Sequence, residues 1–215
     1  DNFENDQFRF GFAKFITIDG VKIWTQRLSY VGELGYELYV DLKDTKKIYE
    51  LLIEKGKDFN LSNCGMHAMD IMRMESGFLH WGHDISPEEN QFQSGLTFTI
   101  SNKKENDFIG KEALRKIKSK KIDKRFIMLT LKDNKPGSPL LLHDEPIYFK
   151  DSIIGRTTSG NYSFNFKKNL AFGYIANHHS TEEMLSNDIF IEVEKQKYQA
   201  YLIEKPLKQS NFKKI

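Results

Sequence analysis

The chain has 215 residues, enough for one large or two small domains with real cores. Thirty-two basic against thirty acidic residues leave a net charge of +2, which neither demands nor excludes an anionic partner. The single cysteine, Cys64, excludes an internal disulfide and reads as a buried thiol; no apolar run is long enough to span a bilayer and no basic-then-apolar leader opens the chain, so a soluble, cytoplasmic protein is expected, or a mitochondrial-matrix one if the source is eukaryotic.

In chain order, Ile23 to Tyr30 reads as a strand, Gly32-Glu33-Leu34-Gly35 as a turn and Tyr36 to Val40 as a second strand. Alternation sets Tyr36, Leu38 and Val40 on one face and Glu37 with Tyr39 on the other. A carboxylate half covered by aromatic rings needs donors, or it raises its pKa and neutralises. Its acceptor oxygens suit a flat edge carrying two parallel N–H groups, as in an amidine, a guanidine or a pterin. An ordinary hairpin in which Glu37 meets Arg27 or a lysine fits the same pattern.

Ile48, Leu51 and Leu52 recur at helical spacing through Asp44 to Lys55, with Gly56 placed to end that helix. A second helix spans about Gly65 to Ser76 and stops at Gly77; its methionines at 66, 69, 72 and 74 read as core filler or as adaptable ligand contacts. A third, around Lys111 to Ile117, runs into Arg115 to Arg125, where seven of eleven residues are basic and a solvated linker is expected. Strand-like runs follow at Phe126 to Leu131, Pro146 to Lys150, Ile153 to Thr158, Leu170 to Ile175, Ile189 to Glu194 and Tyr198 to Ile203. Short strands at this spacing, with Asn134-Lys135-Pro136-Gly137 among the breaks, argue for a small antiparallel barrel or sandwich. Lys205 to Ile215 reads as a loose polar tail.

His80, His83 and Asp84 stand close in sequence, and His178 and His179 are adjacent. Without a third or fourth oriented ligand they read as rigid turn residues near a ligand mouth rather than a metal site. No nucleophile elbow and no Gly-x-Gly-x-x-Gly fingerprint is present, so these residues should bind neither flavin nor NAD by themselves.

Four stretches together resemble the aminomethyltransferase family, meaning the glycine cleavage T-protein and the C-terminal regions of dimethylglycine and sarcosine dehydrogenases. They are Arg27 to Val40; Gly65 to Gly77 running into Phe78-Leu79-His80-Trp81-Gly82-His83-Asp84-Ile85; Asp107-Phe108-Ile109-Gly110-Lys111-Glu112-Ala113-Leu114; and Gly155-Arg156-Thr157-Thr158-Ser159-Gly160 with Lys168 to Ile175. The His-Trp-Gly-His-Asp form looks more like the dehydrogenase branch. Two departures stand out: Met69 precedes Asp70 where T-proteins carry arginine, and Gln91-Phe92-Gln93 replaces a proline and an acidic residue.

The resemblance implies an α+β chain, with residues 1–118 a mixed α/β folate-binding domain and residues 122–208 a small antiparallel β-barrel. It implies that the first domain lacks its N-terminal segment and the family's catalytic aspartate, so that no catalytic residue is assigned; Asp1, with no methionine, agrees with a fragment. It carries a tetrahydrofolate site onto Glu37, which would contact the pterin, onto Tyr30 as a wall, and onto Phe78 and Trp81 as stacking rings. Arg73 would pair with Asp70, with Glu75 or with the folate tail. The implied reaction forms 5,10-methylenetetrahydrofolate from an amine donor such as dimethylglycine, sarcosine or the glycine cleavage intermediate, with FAD only on a missing or partner dehydrogenase portion. A binding module without chemistry and a transfer-RNA-modification factor using the basic stretch are the alternatives, although nucleic acid and membrane are not expected partners. A truncated domain would expose an apolar face through which two copies could pair.

Overall fold

A computed structural model describes residues 3–101, 106–185 and 188–210. The chain folds as two compact units, residues 1–78 with 208–215, and residues 79–207.

The first unit is built on a three-stranded antiparallel sheet, β1 (Ala13–Ile18), β2 (Val21–Gln26) and β3 (Glu37–Tyr39), in that order. β1 has no counterpart among the expected strands. Its signal was the pair Asp19-Gly20, both at positive φ (47° and 77°), which close β1 onto β2 as a two-residue hairpin turn of the kind that matches strand twist. β2 stops at Gln26, four residues short of the strand expected to reach Tyr30. Since Gln26 pairs with Glu37, the connection is a ten-residue loop, 27–36, rather than a four-residue turn.

Alternation in β3 is as expected: Leu38 and Val40 pack on the core of Ile16, Ile23 and Ile48, while Glu37 and Tyr39 are exposed. Ile48 comes from α1 (Leu42–Gly56) and is its buried residue. α2 (Met66–Glu75) ends at Ser76, and Gly77, at φ 72°, turns the chain out of the helix. Of its four methionines only Met74 is fully buried, and Met66 is exposed. Cys64 is exposed as well, because it lies in the extended stretch before α2 where residues 57 to 68 all face solvent. The thiol is therefore not the buried group that composition suggested.

The second unit opens with an irregular segment and α3 (Lys111–Lys118), then forms a barrel from β4 (Lys124–Leu131), β5 (Pro146–Phe149), β6 (Ser152–Ser163), β7 (Lys168–Ala176), β8 (Ile189–Val193) and β9 (Gln196–Ile203). A short helix, α4 (Thr181–Met184), lies between β7 and β8. The closed order is β4-β7-β6-β5-β8-β9, every pairing antiparallel. All six expected strands are present, and closure removes the sheet edges that would otherwise pair with other chains. Inward residues Ile127, Leu129, Ile147, Ile175, Ile191 and Ala200 form one buried core. At Gly155 any side chain is excluded, since a Cβ there would lie 1.9 Å from the Tyr174 carbonyl oxygen.

The basic stretch 115–125 is solvated at Arg115, Lys116, Lys118, Lys120 and Lys121, as expected, but its two ends belong to regular elements. Arg115 to Lys118 belong to α3, and Lys124 and Arg125 begin β4, where Lys124 pairs with Glu89 at 2.6 Å and Arg125 donates to Thr181 Oγ1 and the His179 carbonyl. The tail is anchored at Lys208, whose N–H donates to the Glu75 carbonyl at 2.8 Å and whose ammonium pairs with Glu33; residues 211–215 lie outside the described residues.

Candidate functional site

The expected site residues fall in both units. In the first, the ten-residue loop and the end of α2 are fastened together. Ser76 Oγ donates to the Val31 carbonyl at 3.0 Å, and Gly32 sits against that hydroxyl at φ 75°, where a Cβ would come within 2.3 Å of Ser76 Oγ. The loop carries Tyr30, half-buried; the helix end carries Arg73 and leads to Phe78, also half-buried.

Arg73 is buried. Its Nε and Nη2 donate to Asp70 Oδ1 at 2.9 and 2.8 Å and Nη1 donates to the Phe78 carbonyl at 3.1 Å, while the Phe78 N–H donates to the Arg73 carbonyl. Asp70 is among the partners expected for Arg73, and the two meet in the structure. The guanidinium thus ties Asp70 to the Phe78 carbonyl, which helps to fix the backbone at Phe78.

Glu37 is exposed on the sheet face opposite the core rather than half covered by rings. Its Oε2 accepts the Tyr39 hydroxyl at 2.7 Å. That bond pushes the Tyr39 phenol above its usual range. Glu37 does not meet Arg27, as an ordinary hairpin would have had it. The Arg27 side chain is buried on the other side of the loop, where it donates to the Phe8 carbonyl at 2.5 Å and to Asn5 and lies 6.0 Å from the Tyr36 ring centre. Oε1 of Glu37 has no protein partner among the described residues, and a carboxylate with one hydroxyl on one oxygen retains most of its acceptor capacity. Tyr39, left out of the expected set, is therefore the group that orients Glu37, and its i+2 spacing was the signal.

In the second unit, Trp81 is two-thirds exposed at the tip of the turn 80–85. The Gly82 N–H donates to the Ile85 carbonyl and the Asp84 N–H to the His80 carbonyl, both at 2.8 Å. Asp84, 1 % exposed, locks that turn onto the barrel: it accepts the His80 N–H at 2.8 Å, Thr158 Oγ1 at 2.5 Å and Ser159 Oγ at 2.9 Å. The His-Trp-Gly-His-Asp and Gly-Arg-Thr-Thr-Ser-Gly stretches are thus two halves of one joint. Gln93 has a similar duty, taking the Asn90 N–H and donating to Asp123 Oδ1 at 2.8 Å.

A cavity of about 450 Å3 opens beside the turn, lined by Asp84, Glu88, Glu89, Lys124, Arg156 and Tyr174. Glu89 is pulled two ways: partial burial raises its pKa, but the Lys124 ammonium and the Ser86 donors win and hold it below the ordinary carboxylate range. Among the described residues no group of three or more His, Cys, Asp or Glu could hold a metal ion. No described helix is long and apolar enough to cross a membrane.

With that geometry in hand, comparison with known proteins assigns the chain. Residues 1–104 match the GCVT N-terminal domain and residues 124–208 the glycine cleavage T-protein C-terminal barrel domain. The chain belongs to the aminomethyltransferase family. It is 33% identical to dimethylglycine dehydrogenase of Rattus norvegicus over 96% of its length, and 31% identical to aminomethyltransferase of Symbiobacterium thermophilum over 94%. It spans 24% of the former and 52% of the latter, so it corresponds to a part of each. The crystal structure of glycine cleavage system aminomethyltransferase T from Bartonella henselae has the same fold, with a TM-score of 0.81 at 20% identity over 97% of this chain and 55% of that one. In this aminomethyltransferase-family chain, the barrel match and the six-stranded closure coincide almost residue for residue.

Proposed function

We propose that the chain is the tetrahydrofolate-binding, one-carbon-accepting module of an aminomethyltransferase or a dimethylglycine or sarcosine dehydrogenase. The observation that carries the reading is Glu37. It is a carboxylate steered by the Tyr39 hydroxyl, with Oε1 unspent, on a strand edge next to aromatic rings. The residues fit the ligand, because a pterin presents parallel N–H donors to a carboxylate edge.

Tetrahydrofolate, when bound, supplies the nucleophilic nitrogen that takes the one-carbon unit and carries it as 5,10-methylenetetrahydrofolate. The chain's own residues position it. Glu37 accepts from the pterin edge, Tyr30 walls it on the loop side, and Phe78 offers a ring contact. Arg73 acts through Phe78 by holding its backbone. Fixing the acceptor nitrogen against a short-lived amine-derived electrophile gives an effective-molarity gain. Flavin chemistry, where the donor is dimethylglycine or sarcosine, belongs to a partner dehydrogenase portion; these residues bind folate and the small amine donor.

Anaerobic calorimetric titration of tetrahydrofolate into the chain and into Glu37→Ala tests this. Micromolar binding lost in the variant supports the reading, and no binding to a well-folded wild-type chain refutes it. A transfer assay with an intact flavoprotein in excess then separates an acceptor from a passive binder. For the RNA reading, Lys124 and Arg125 are engaged within the barrel unit, while Arg115, Lys116, Lys118, Lys120 and Lys121 are exposed; steeply salt-dependent RNA binding abolished by neutralising that stretch would favour it.

A further inference from the structure

The three-stranded sheet buries one face and exposes the other, and the exposed face is patterned. Register sets Phe15 opposite Trp24 and Trp24 opposite Tyr39, one aromatic row crossing all three strands. Two residues along the strands, Gln26 stands opposite Glu37, a polar row beside the aromatic one. All three rings are exposed, Phe15 55%, Trp24 36% and Tyr39 53%. Contiguous exposed aromatics of this kind mark a surface that receives something. Phe15 meets Trp24 edge-on, with ring centres 4.9 Å apart, and the Lys22 ammonium lies 4.3 Å over Phe15. The indole is thereby braced.

Resting on the folate reading above, we propose that this face is the ring-binding subsite, with Trp24 as the stacking platform and Gln26 as a second polar contact beside Glu37. The rows are about 7 Å apart, two residues of extended chain. A fused two-ring heterocycle stacked on the indole spans that distance and brings its edge donors to the Glu37 carboxylate and the Gln26 amide. The aromatic row supplies area and the polar row supplies orientation, the division seen in sites for flat ligands. A second copy of the chain laid on the same face would have to bury both Glu37 carboxylates, which is costly unless each is paired. A ligand with N–H donors satisfies them.

The test is calorimetry of tetrahydrofolate with wild type, Trp24→Ala, Trp24→Phe and Glu37→Ala, alongside p-aminobenzoylglutamate, which lacks the pterin. Trp24→Ala should weaken tetrahydrofolate about tenfold, Trp24→Phe less than about threefold, and binding of p-aminobenzoylglutamate should not respond to Trp24. Should Trp24→Ala fail to fold, indole emission in Trp81→Phe decides, read against Trp24→Phe. Saturable quenching with the calorimetric affinity supports the subsite and an unchanged spectrum overturns it. Wild-type affinity in Trp24→Ala together with loss in Glu37→Ala overturns the subsite while leaving the folate reading intact. No binding to folded wild type overturns both. Sedimentation showing a wild-type dimer that Trp24→Ala dissociates, with folate affinity unchanged, gives the face to self-association and overturns the proposal.

Discussion

Replacing Asp84 by alanine should destabilise the barrel unit more than any other single polar change. The carboxylate is 1 % exposed and accepts hydrogen bonds from the His80 N–H, Thr158 Oγ1 and Ser159 Oγ, among others. Hydrogen bonds to a charged group contribute about 1.5–3 kcal/mol each. The two hydroxyls can rotate toward other acceptors, but the His80 N–H is fixed by the turn, so the net loss comes to about 4 kcal/mol. For a chain of this size that is a fall in Tm on the order of 10 °C. Asp84→Asn keeps an acceptor for the hydroxyls but turns an NH2 group toward some of the donors, and should lose about half as much. Thermal melts followed by far-ultraviolet circular dichroism measure both. If Asp84→Ala melts within about 2 °C of wild type, Asp84 is not the joint between the turn and β6.

Four further outcomes are expected. Glu89 is held below the usual carboxylate pKa of 4.5 in the folded state, so its contribution is present above that value and lost as pH falls through the folded pKa. The Tm gap between wild type and Glu89→Gln should be flat from neutral pH to about 5 and close below it. Tyr39→Phe removes the hydroxyl that steers Glu37 and should weaken tetrahydrofolate a few-fold by calorimetry, while the melting curve stays within about 0.5 kcal/mol of wild type because both groups are exposed. Gly155→Ala drives a Cβ to 1.9 Å from the Tyr174 carbonyl and should cost about 3 kcal/mol or more in chemical denaturation. Arg73→Lys should fail to rescue what Arg73→Ala loses, since one ammonium cannot serve both Asp70 and the Phe78 carbonyl, and urea unfolding of the two variants makes the comparison.

Much of the fold was legible because the signals were local. The barrel strands showed as short β-branched and aromatic runs between turn residues, and α1 and α2 as apolar spacing; Gly77 turns the chain out of α2, whereas Gly56 stays helical and the run after α1 ends only at Asn60, at φ 55°. The face of Glu37 followed from alternation alone. The misjudged elements share one cause, that their state depends on neighbours distant in sequence. Cys64 looked buried by residue type, yet it is exposed in the extended stretch before α2. The basic run is solvated from Arg115 to Lys121 as expected, but its last two members are not, since Lys124 meets Glu89 and Arg125 meets Thr181. The length of the Glu37 loop was hidden because its register is set by pairing with β2, which in turn is held by the unrecognised β1.

Alternation, helical spacing and turn chemistry act over a few residues, so the sequence by itself determined most element types and left a barrel or a sandwich open, while the resemblance of four stretches pointed to the barrel and the family. It could show that Asp84, Thr158 and Ser159 are polar, but not that two stretches 74 and 75 residues apart close on one carboxylate. Nor could it tell that Arg73 holds the Phe78 carbonyl, or that Phe15, Trp24 and Tyr39 form one row. Those facts arise from hydrogen-bond satisfaction and strand register between distant segments, which only the folded chain brings within a few ångströms of each other.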